Sequence, residues 1–252
     1  MIQALLIGYG RMGSEIARLA PQLNIAVTTI VDRSADGCNK TVSKELLNLC
    51  DVVIDFSSPK DILERTALIS EAKKPYVIGT TGWNEQLDKA KKIVHHNSSA
   101  ALFSPNFSLG VALFLHLASQ ASSLMSHFPS YDVGIAERHH RKKADGPGGT
   151  ALNLAKKVLE SYPEKTLCTN PSPTSALEKE ALHVSWQRVG SFPGTHELIF
   201  DSPEDTIALS HTARTREGFA RGALEAAFWL LDKKGFFTLD DMIRDKLQKT
   251  RS

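Results

Sequence analysis

The sequence predicts an α/β protein: a Rossmann-type parallel sheet, followed by an α+β domain with a mostly antiparallel sheet. Three observations carry this expectation. A G-x-G-x-x-G turn, Gly8 to Gly13, closes the first apolar run and opens a helical stretch. Short β-branched runs then alternate with amphipathic stretches as far as residue 107, the pattern of a parallel sheet covered on both faces. Beyond Phe107 come one long apolar helix, a basic loop and three strand-like runs joined by short turns.

The elements follow in order. "ALLIG" (4–8) suits a buried parallel strand. Residues 14–23 carry helical spacing at Ile16, Leu19, Ala20 and Leu23, with Pro21 tightening the end. "AVTTIVD" (26–32) is β-branched and reads as the second strand. "SKELLNLC" (43–50) is a short helix with Ser43 as its N-cap. Strands are expected at 51–56, 76–81 and 100–105, with helices near 59–73 and 84–95 between them. In the second half, 109–125 is a long apolar helix and 132–140 a strand that runs into the basic cluster. A helix over 150–162 follows. The runs 182–190, 195–200 and 205–213 suggest an antiparallel meander, because "SFPG" and "DSPE" read as its turns. Residues 170–180 read as a Pro- and Ser-rich loop, and 217–235 as a final amphipathic helix. The domains expected are 1–108 for dinucleotide binding and 109–216 for substrate binding and oligomerisation, with 217–252 returning to the first.

Composition excludes several classes. The chain has 252 residues, 42% hydrophobic and 23% charged, with a net charge of +2. That is ordinary for a globular protein and too balanced for a polyanion binder, so no nucleic acid is expected. Cys38, Cys50 and Cys168 form neither a C-x-x-C pair nor an even disulfide set. The apolar run 109–118 is too short to span a bilayer, and the first residues lack the basic flank of a signal peptide. A cytoplasmic protein without a membrane partner or metal is expected.

The glycine motif carries the first chemical signal. Gly8 takes the tight turn, Gly10 lets backbone approach a pyrophosphate, and Gly13 lets helix pack on strand. The helix start that follows offers free N–H groups to phosphate. Asp32 closes the second strand where a ribose-binding acid belongs, which favours NAD. Arg33 beside it could pair with a 2′-phosphate, which would admit NADP.

The second signal is "ERHHRKKADGPGGTA" (137–151), where His139, His140, Arg141, Lys142 and Lys143 precede a Gly-Pro loop. A nucleic-acid patch would need interleaved aromatics, and none lies in the stretch. A metal site would need more ligands, and adjacent histidines on a strand face opposite sides. A solvated charge run remains the bland alternative. Against it, Gly148, Gly149 and Thr150 lead into a helix whose first amides form an anion cradle. A Lys–His pair beside such a cradle suggests a small carboxylate substrate, with His139 suited to proton donation. The residues by themselves reach a nicotinamide-dependent oxidoreductase acting on a small acid.

The same stretch resembles the signature of the 4-hydroxy-tetrahydrodipicolinate reductase family, E-x-H-H-x-x-K-x-D-A-P-S-G-T-A. The resemblance covers most of the chain in order: "GYGRMG", "VVIDFSSP" (52–59), "GTTGW" (79–83), "SPNFSLGVALF" (104–114) and "RVGSFPGTHE" (188–197), where the family places R-x-G-x-x-x-G-x-H. It implies reduction of a cyclic dicarboxylate by NADH or NADPH on the diaminopimelate route to lysine. It implies His139 as the catalytic acid and Lys143 as a second proton donor. His140, Gly149 and Thr150 would hold substrate. Cofactor contacts would fall at Gly8, Tyr9, Gly10, Arg11, Met12, Gly13, Asp32, Arg33, Gly79, Thr80, Thr81, Ser104, Pro105, Asn106 and Phe107. A homotetramer built through the second domain's sheet is also implied.

Three departures stand out. Gly148 replaces the family's usual Ser, and Gly146 its usual Ala, which predicts a more flexible loop. The segment from Arg33 to Asp51 is short. Arg141 and Lys142 read as solvated charges. His116 reads as a hydrogen-bonded core histidine, His95 and His96 as partners of a helix C-terminus, and His196 and His211 receive no catalytic role. Two other readings remain: a different two-domain dehydrogenase, which in the semialdehyde class would need a cysteine nucleophile, and a nucleotide-sensing protein without turnover.

Overall fold

The computed structural model describes residues 1–169, 173 and 175–249. The expected loop over 170–180 and the last residues of the expected tail fall partly outside the described residues. In chain order the elements are β1 (Ile2–Ile7), α1 (Arg11–Leu19), β2 (Ile25–Val31), α2 (Lys44–Asn48), β3 (Val52–Asp55), α3 (Ile62–Glu71), β4 (Tyr76–Ile78), α4 (Leu87–His96) and β5 (Ala100–Phe103). There follow α5 (Leu109–Met125), β6 (Asp132–His139), α6 (Gly149–Leu159), β7 (Thr166–Cys168), β8 (Ala181–Arg188), β9 (Thr195–Asp201), β10 (Thr206–Thr212), α7 (Glu217–Leu230), β11 (Gly235–Phe237) and α8 (Leu239–Lys249). Two compact units emerge: Met1–Leu109 with Arg216–Ser252, and Gly110–Thr215.

The first unit is a six-stranded parallel sheet in the order β11-β5-β4-β3-β1-β2. The chain leaves β1 in one direction for β2 and in the other for β3. That reversal is the topological switch point, where loops at the strands' carboxyl ends part to admit a ligand. The strands read as unbroken apolar runs because helices cover both faces; Leu5, Ile7, Val53 and Ile78 lie in one buried cluster with Ile62 and Ile69 of α3 and Val94 of α4. Pro21 sits in a 3-10 turn after α1, closed by Asn24 in the left-handed region at φ 58°. Ser43 caps α2 by accepting the Leu46 amide at 3.4 Å.

The expected final helix is shorter than its pattern, and it is not final. α7 stops at Leu230, and Gly235, at φ +122°, turns the chain into a short strand beside β5. Phe236 of that strand packs against the unit's core, which explains why "GFF" leaves the helix.

The second unit is a mixed sheet in the order β10-β9-β6-β8-β7. Its antiparallel ladders, β10 with β9 and β6 with β9, are the longer ones; β6 with β8 and β8 with β7 run parallel. The expected meander is therefore corrected: β6 lies between β8 and β9. The segment read as a tight turn instead crosses the end of β6, where the His140 amide donates to Phe192 O (2.9 Å) and the Val189 amide to His139 O (2.9 Å). β7 was not expected.

Helices α5 and α6 cover one face of this sheet. Phe114, Ala118, Leu154 and Val158 pack there against Val133, Ile135, Leu198 and Phe200. The expected core position of His116 is also corrected. It lies two residues from both Phe114 and Ala118, off the buried side of α5, and is half-exposed. Among the described residues no helix is long and apolar enough to cross a membrane.

Candidate active site

In the first unit the glycine loop has the geometry its motif predicts. Gly8 adopts φ +89°, and a β-carbon there would fall 2.6 Å from Phe56 O. A β-carbon on Gly13 would fall 2.0 Å from Gly8 O, so only glycine lets α1 approach. A β-carbon on Gly10 would meet nothing within 4 Å, so the loop's outer side is open. α1 starts there without a side-chain cap, leaving its first amides to face whatever enters. Tyr9 and Arg11 are exposed and Met12 half-buried. A cleft of about 520 Å³, lined by Gly8, Gly10, Asp32 and Arg33 among others, opens at the carboxyl ends of β1 to β3.

Asp32 is already engaged. Its Oδ2 accepts the Tyr9 amide (2.6 Å), and Oδ1 accepts those of Ser34 and Ala35 (2.8 Å each). These three amides, Tyr9 first, hold its carboxyl below the usual range. Of about four acceptor sites on a carboxylate, one is left for a sugar hydroxyl. Arg33 pairs with Asp61 at 2.7 Å and is more than half exposed. The open loop and the remaining acceptor fit a dinucleotide.

The loops after β3, β4 and β5 are tied from below. Asp55, fully buried, accepts Tyr76 Oη (2.6 Å), Thr80 Oγ1 (2.9 Å), Ser57 N (2.9 Å) and Arg65 Nε (2.9 Å). Burial first, then the Asp55 charge, pushes the Tyr76 phenol well up. Gly79 lies under the Phe56 ring and Thr81 is exposed. The Phe107 ring, 2% exposed, sits 5.5 Å from that of Phe56. Ser104 Oγ donates to Asn106 O (2.6 Å), Asn106 Oδ1 accepts the Ser108 amide (2.8 Å), and Pro105 is exposed. Of the residues expected in these loops, Thr80 and Phe107 thus turn their side chains into the scaffold.

In the second unit the site grows out of strand alternation. Val133 and Ile135 of β6 point into the core beneath the helices; two and four residues on, Glu137 and His139 share that face. Register sets Glu137 opposite His196 of β9 and opposite Trp186 of β8, and sets His139 opposite Arg188. His211 of β10 lies opposite His196. The apolar face therefore ends in a polar row.

Glu137 is the hub. Its side chain has no exposure. Oε1 accepts Arg188 Nη2 (2.8 Å), Oε2 accepts the Gly148 amide (2.9 Å), and His196 Nε2 lies 3.4 Å from Oε2. Burial would raise this carboxyl, but His196, Gly148 and Arg188 together bring it down to about 2. The His196 contact is long, so its contribution is electrostatic more than a closed hydrogen bond.

His139 packs its ring against His196 (5.4 Å between centroids) and against Gly194, where a β-carbon would come within 2.6 Å of Cε1. Burial above all lowers its imidazole to about 4; the Glu137 charge works against this, and His196, Lys143 and Arg188 add to the lowering. His140 follows at 6.2 Å, its ring perpendicular. Lys143 Nζ is held by Asp145 (2.7 and 2.8 Å). Arg141 and Lys142 are exposed. The Gly148 amide is taken by Glu137, and Gly149 and Thr150 open α6, whose Leu152 amide is the one that bonds back to Gly148 O (3.0 Å). Their own amides have no intrahelical partner.

The two departures in this loop have packing causes. A β-carbon on Gly146 would lie 2.2 Å from Trp186 Nε1, so an indole fills the space an alanine methyl would need. A β-carbon on Gly148 would lie 2.8 Å from Glu137 Oε2. Glu137, His139 and His196 are all metal-ligand types with ligating atoms within 4.8 Å. Both carboxylate oxygens are already engaged, however, and Arg188 and Lys143 face the cluster, which suits proton handling better than a cation.

A Rossmann unit with an open glycine loop, and a second unit that sets an imidazole beside free helix-end amides, define a dinucleotide-dependent oxidoreductase of a small anion. The comparisons narrow this. The family described as dihydrodipicolinate reductase matches with its N-terminal part over residues 2–107 and its C-terminal part over 110–243. The chain belongs to that family of NAD(P)H-dependent oxidoreductases. It is 34% identical over 240 residues to the 4-hydroxy-tetrahydrodipicolinate reductase of Christiangramia forsetii, covering 95% of this chain and 97% of that protein. It is 39% identical over 211 residues to the enzyme of the same name from Anaplasma marginale, covering 82% and 79%. A dipicolinate-bound dihydrodipicolinate reductase from Paenisporosarcina superposes with a TM-score of 0.79 at 25% identity, covering 96% of this chain and 99% of that one.

Sequence reasoning passed over Glu137, Arg188 and His196. The signals were present: a carboxylate at an inward position of β6, and an R-x-G-x-x-x-G-x-H segment. Arg188 pairs with the hub, Gly190 turns the chain at φ +52°, Gly194 makes room for His139, and His196 backs it.

Proposed function

We propose that this chain reduces 4-hydroxy-tetrahydrodipicolinate to tetrahydrodipicolinate with NADH or NADPH, on the diaminopimelate route to lysine. The observation that carries this reading is His139, backed by a buried Glu137–Arg188–His196 cluster whose carboxylate accepts the Gly148 amide just before the helix start at Gly149 and Thr150.

The substrate is a cyclic, imine-type dicarboxylate. The amides of Gly149 and Thr150, at the positive end of α6, take one carboxylate, and His140 and Lys143 add donors beside it. Bound nicotinamide supplies the hydride. As negative charge builds toward the ring nitrogen, His139 delivers the balancing proton, with Lys143 as the second donor. In the free protein His139 is held at about 4 by burial and neighbouring cations. A bound dianion offsets those cations and raises it, so substrate helps to charge its own acid.

On the first unit, the amides and side chains of residues 8–13 hold the pyrophosphate and Asp32 one ribose hydroxyl. Arg33 is available to a 2′-phosphate once it leaves Asp61. The loops at Gly79–Thr81 and Ser104–Phe107 border the nicotinamide end. Residues 1–108 with 217–252 serve the cofactor, and 109–216 serve substrate and assembly. The sheet face opposite α5 and α6 carries half-buried Ala136, Arg138, Glu197 and Ile199, and α5 exposes Leu113, Leu117 and Leu124. Such surfaces support assembly into a homotetramer.

The test is to mix the chain with dihydrodipicolinate synthase, pyruvate and aspartate semialdehyde and follow oxidation of NADH and, separately, NADPH. Oxidation that depends on the synthase is expected with at least one of them. His139→Gln should lower kcat roughly 10²-fold or more, the scale of a lost general acid. No oxidation with either cofactor refutes the reading, and leaves a nucleotide-sensing protein in its place.

A further inference from the structure

The proton that His139 donates has to be replaced at each turnover, and the cluster behind it contains a group placed to do so. His196 is 6% exposed, and neither of its ring nitrogens closes a hydrogen bond. A buried imidazole without partners is costly to maintain. Its ring meets that of His139 at 5.4 Å between centroids and 70° between planes. Its Nε2 faces the Glu137 carboxylate at 3.4 Å. The ligating atoms of Glu137, His139 and His196 all lie within 4.8 Å of one another, a span that one bridging water covers.

We propose that Glu137 and His196 form a positioning pair for His139, in which the carboxylate steadies a proton on His196 and His196 returns it to His139 after each donation. The proton balance closes. His139 loses one proton to the substrate as the hydride adds. The His196 imidazolium passes one through water to His139, and His196 regains one from solvent. Glu137 stays ionised throughout. This inference rests on the reading of His139 as the proton donor.

The charges around the pair favour this direction. Facing His139 and His196 are Lys143 and His140 from the loop after β6, Arg188 from β8 and His211 from β10. All are basic. The Asp145 carboxylate is taken up by Lys143. Glu137 is therefore the one carboxylate facing the cluster that can stabilise a proton on an imidazole, among the described residues. His211 has its Nδ1 buried without a partner and its ring against Phe114 at 6.0 Å. It stands one strand farther from His139 than His196 does.

Steady-state kinetics of the full chain from pH 5.5 to 9, in water and in heavy water, test the pair. The variants are His196→Asn, His196→Ala, Glu137→Gln and His139→Gln, with NADH affinity as the fold control. His196→Asn is expected to lower kcat roughly tenfold, less than the ~10²-fold or more of a lost general acid because solvent can still reprotonate His139, with KM for the dicarboxylate changed less. Its solvent isotope effect on kcat rises, because reprotonation of His139 becomes slower. Free imidazole restores part of the kcat lost in His196→Ala. Glu137→Gln, which removes the charge that steadies a proton on either imidazole, moves the alkaline limb to lower pH.

A purely structural His196 gives another pattern: weaker binding or lower thermal stability, an unmoved solvent isotope effect and no rescue by imidazole. That result overturns the proposal. Should His196→Asn fold poorly, the profile of Glu137→Gln and the imidazole response of His196→Ala decide. If the wild-type chain is active and His139→Gln is slow, while the His196 and Glu137 variants keep the wild-type kinetics, the pair is refuted and the reductase reading survives. If His139→Gln is as fast as wild type, the reading beneath it has failed instead.

Discussion

Restoring the family's alanine at position 146 should harm this protein. A β-carbon on Gly146 would sit 2.2 Å from Trp186 Nε1, 2.6 Å from Cδ1 and 2.7 Å from Cε2, against ordinary contacts of 3.4–4 Å. The indole is rigid and must retreat by about 1 Å, and overpacking of this kind costs ~1–3 kcal/mol. Removing glycine's freedom from the unfolded chain returns ~0.4–1 kcal/mol. A net loss of about 1–2 kcal/mol follows, or about 2–8 °C in Tm at ~2–4 °C per kcal/mol for a protein of this size. The assay is a double-mutant cycle by thermal or urea unfolding with Gly146→Ala, Trp186→Ala and the pair. With the indole gone, the added methyl has room, and Gly146→Ala should turn neutral or slightly stabilising. The coupling energy should then be about 1–3 kcal/mol, the size expected of side chains in contact. Equal effects of Gly146→Ala in both backgrounds would refute the packing account and leave loop flexibility as the reason for this glycine.

The remaining predictions concern charge and the glycine loop. His139 lies at about 4 when folded against a usual 6.5, so its contribution to stability is present above about 6.5 and is lost as pH falls toward 4. Urea unfolding should therefore show wild type losing stability faster than His139→Gln between pH 7 and 5; parallel losses would contradict the assignment. Glu137 lies at about 2 against 4.5, and its contribution is present above about 4.5 and lost toward 2. At ~1.4 kcal/mol per pK unit that is about 3.5 kcal/mol, which Glu137→Gln should forfeit at neutral pH and not below about pH 2. Asp55→Asn should cost ~3–5 kcal/mol in unfolding experiments, because it strands Arg65, 13% exposed, without its counter-charge. Gly13→Ala should weaken NADH binding roughly tenfold or more, because a contact 2.0 Å from a backbone oxygen has no rotamer to escape into.

Local chemistry was legible in the sequence and long-range pairing was not. The glycine loop could be read because each glycine answers a demand made within a few residues: the turn at Gly8, the approach at Gly10, the packing at Gly13. The strand of His139 and the helix start at Gly149 were legible for the same reason. The inserted position of β6 between β8 and β9 had no local signal. A turn-like "SFPG" argued for direct pairing, and the ladders that β6 forms with both strands outweighed it. His196 was overlooked through the same gap, since its face and neighbour are known only once the β6–β9 register is known. Gly146 and Gly148 were read as a source of loop flexibility because Trp186 and Glu137, which occupy the space, come from distant positions or from the far side of the loop.

The cluster at Glu137 is the outermost rung of the second unit's core as well as a loop-borne site. The face that buries Val133 and Ile135 on β6, and Leu198 and Phe200 on β9, presents Glu137 and His196 one step farther along the same strands. Ladders on both sides fix those two residues to the precision of a sheet, while Lys143 of the following loop and the Gly149–Thr150 helix start hang from Glu137 through Arg188 and Gly148. A carboxylate in that position would be a liability in an ordinary core. Here both its oxygens are bonded, and it joins the strand that carries His139 to the start of the helix at Gly149. His139 and the Gly149–Thr150 amides are therefore linked through one buried side chain, and if they act as proposed, a change at Glu137 should disturb binding and proton transfer together, whereas a change at His196 should reach proton transfer alone.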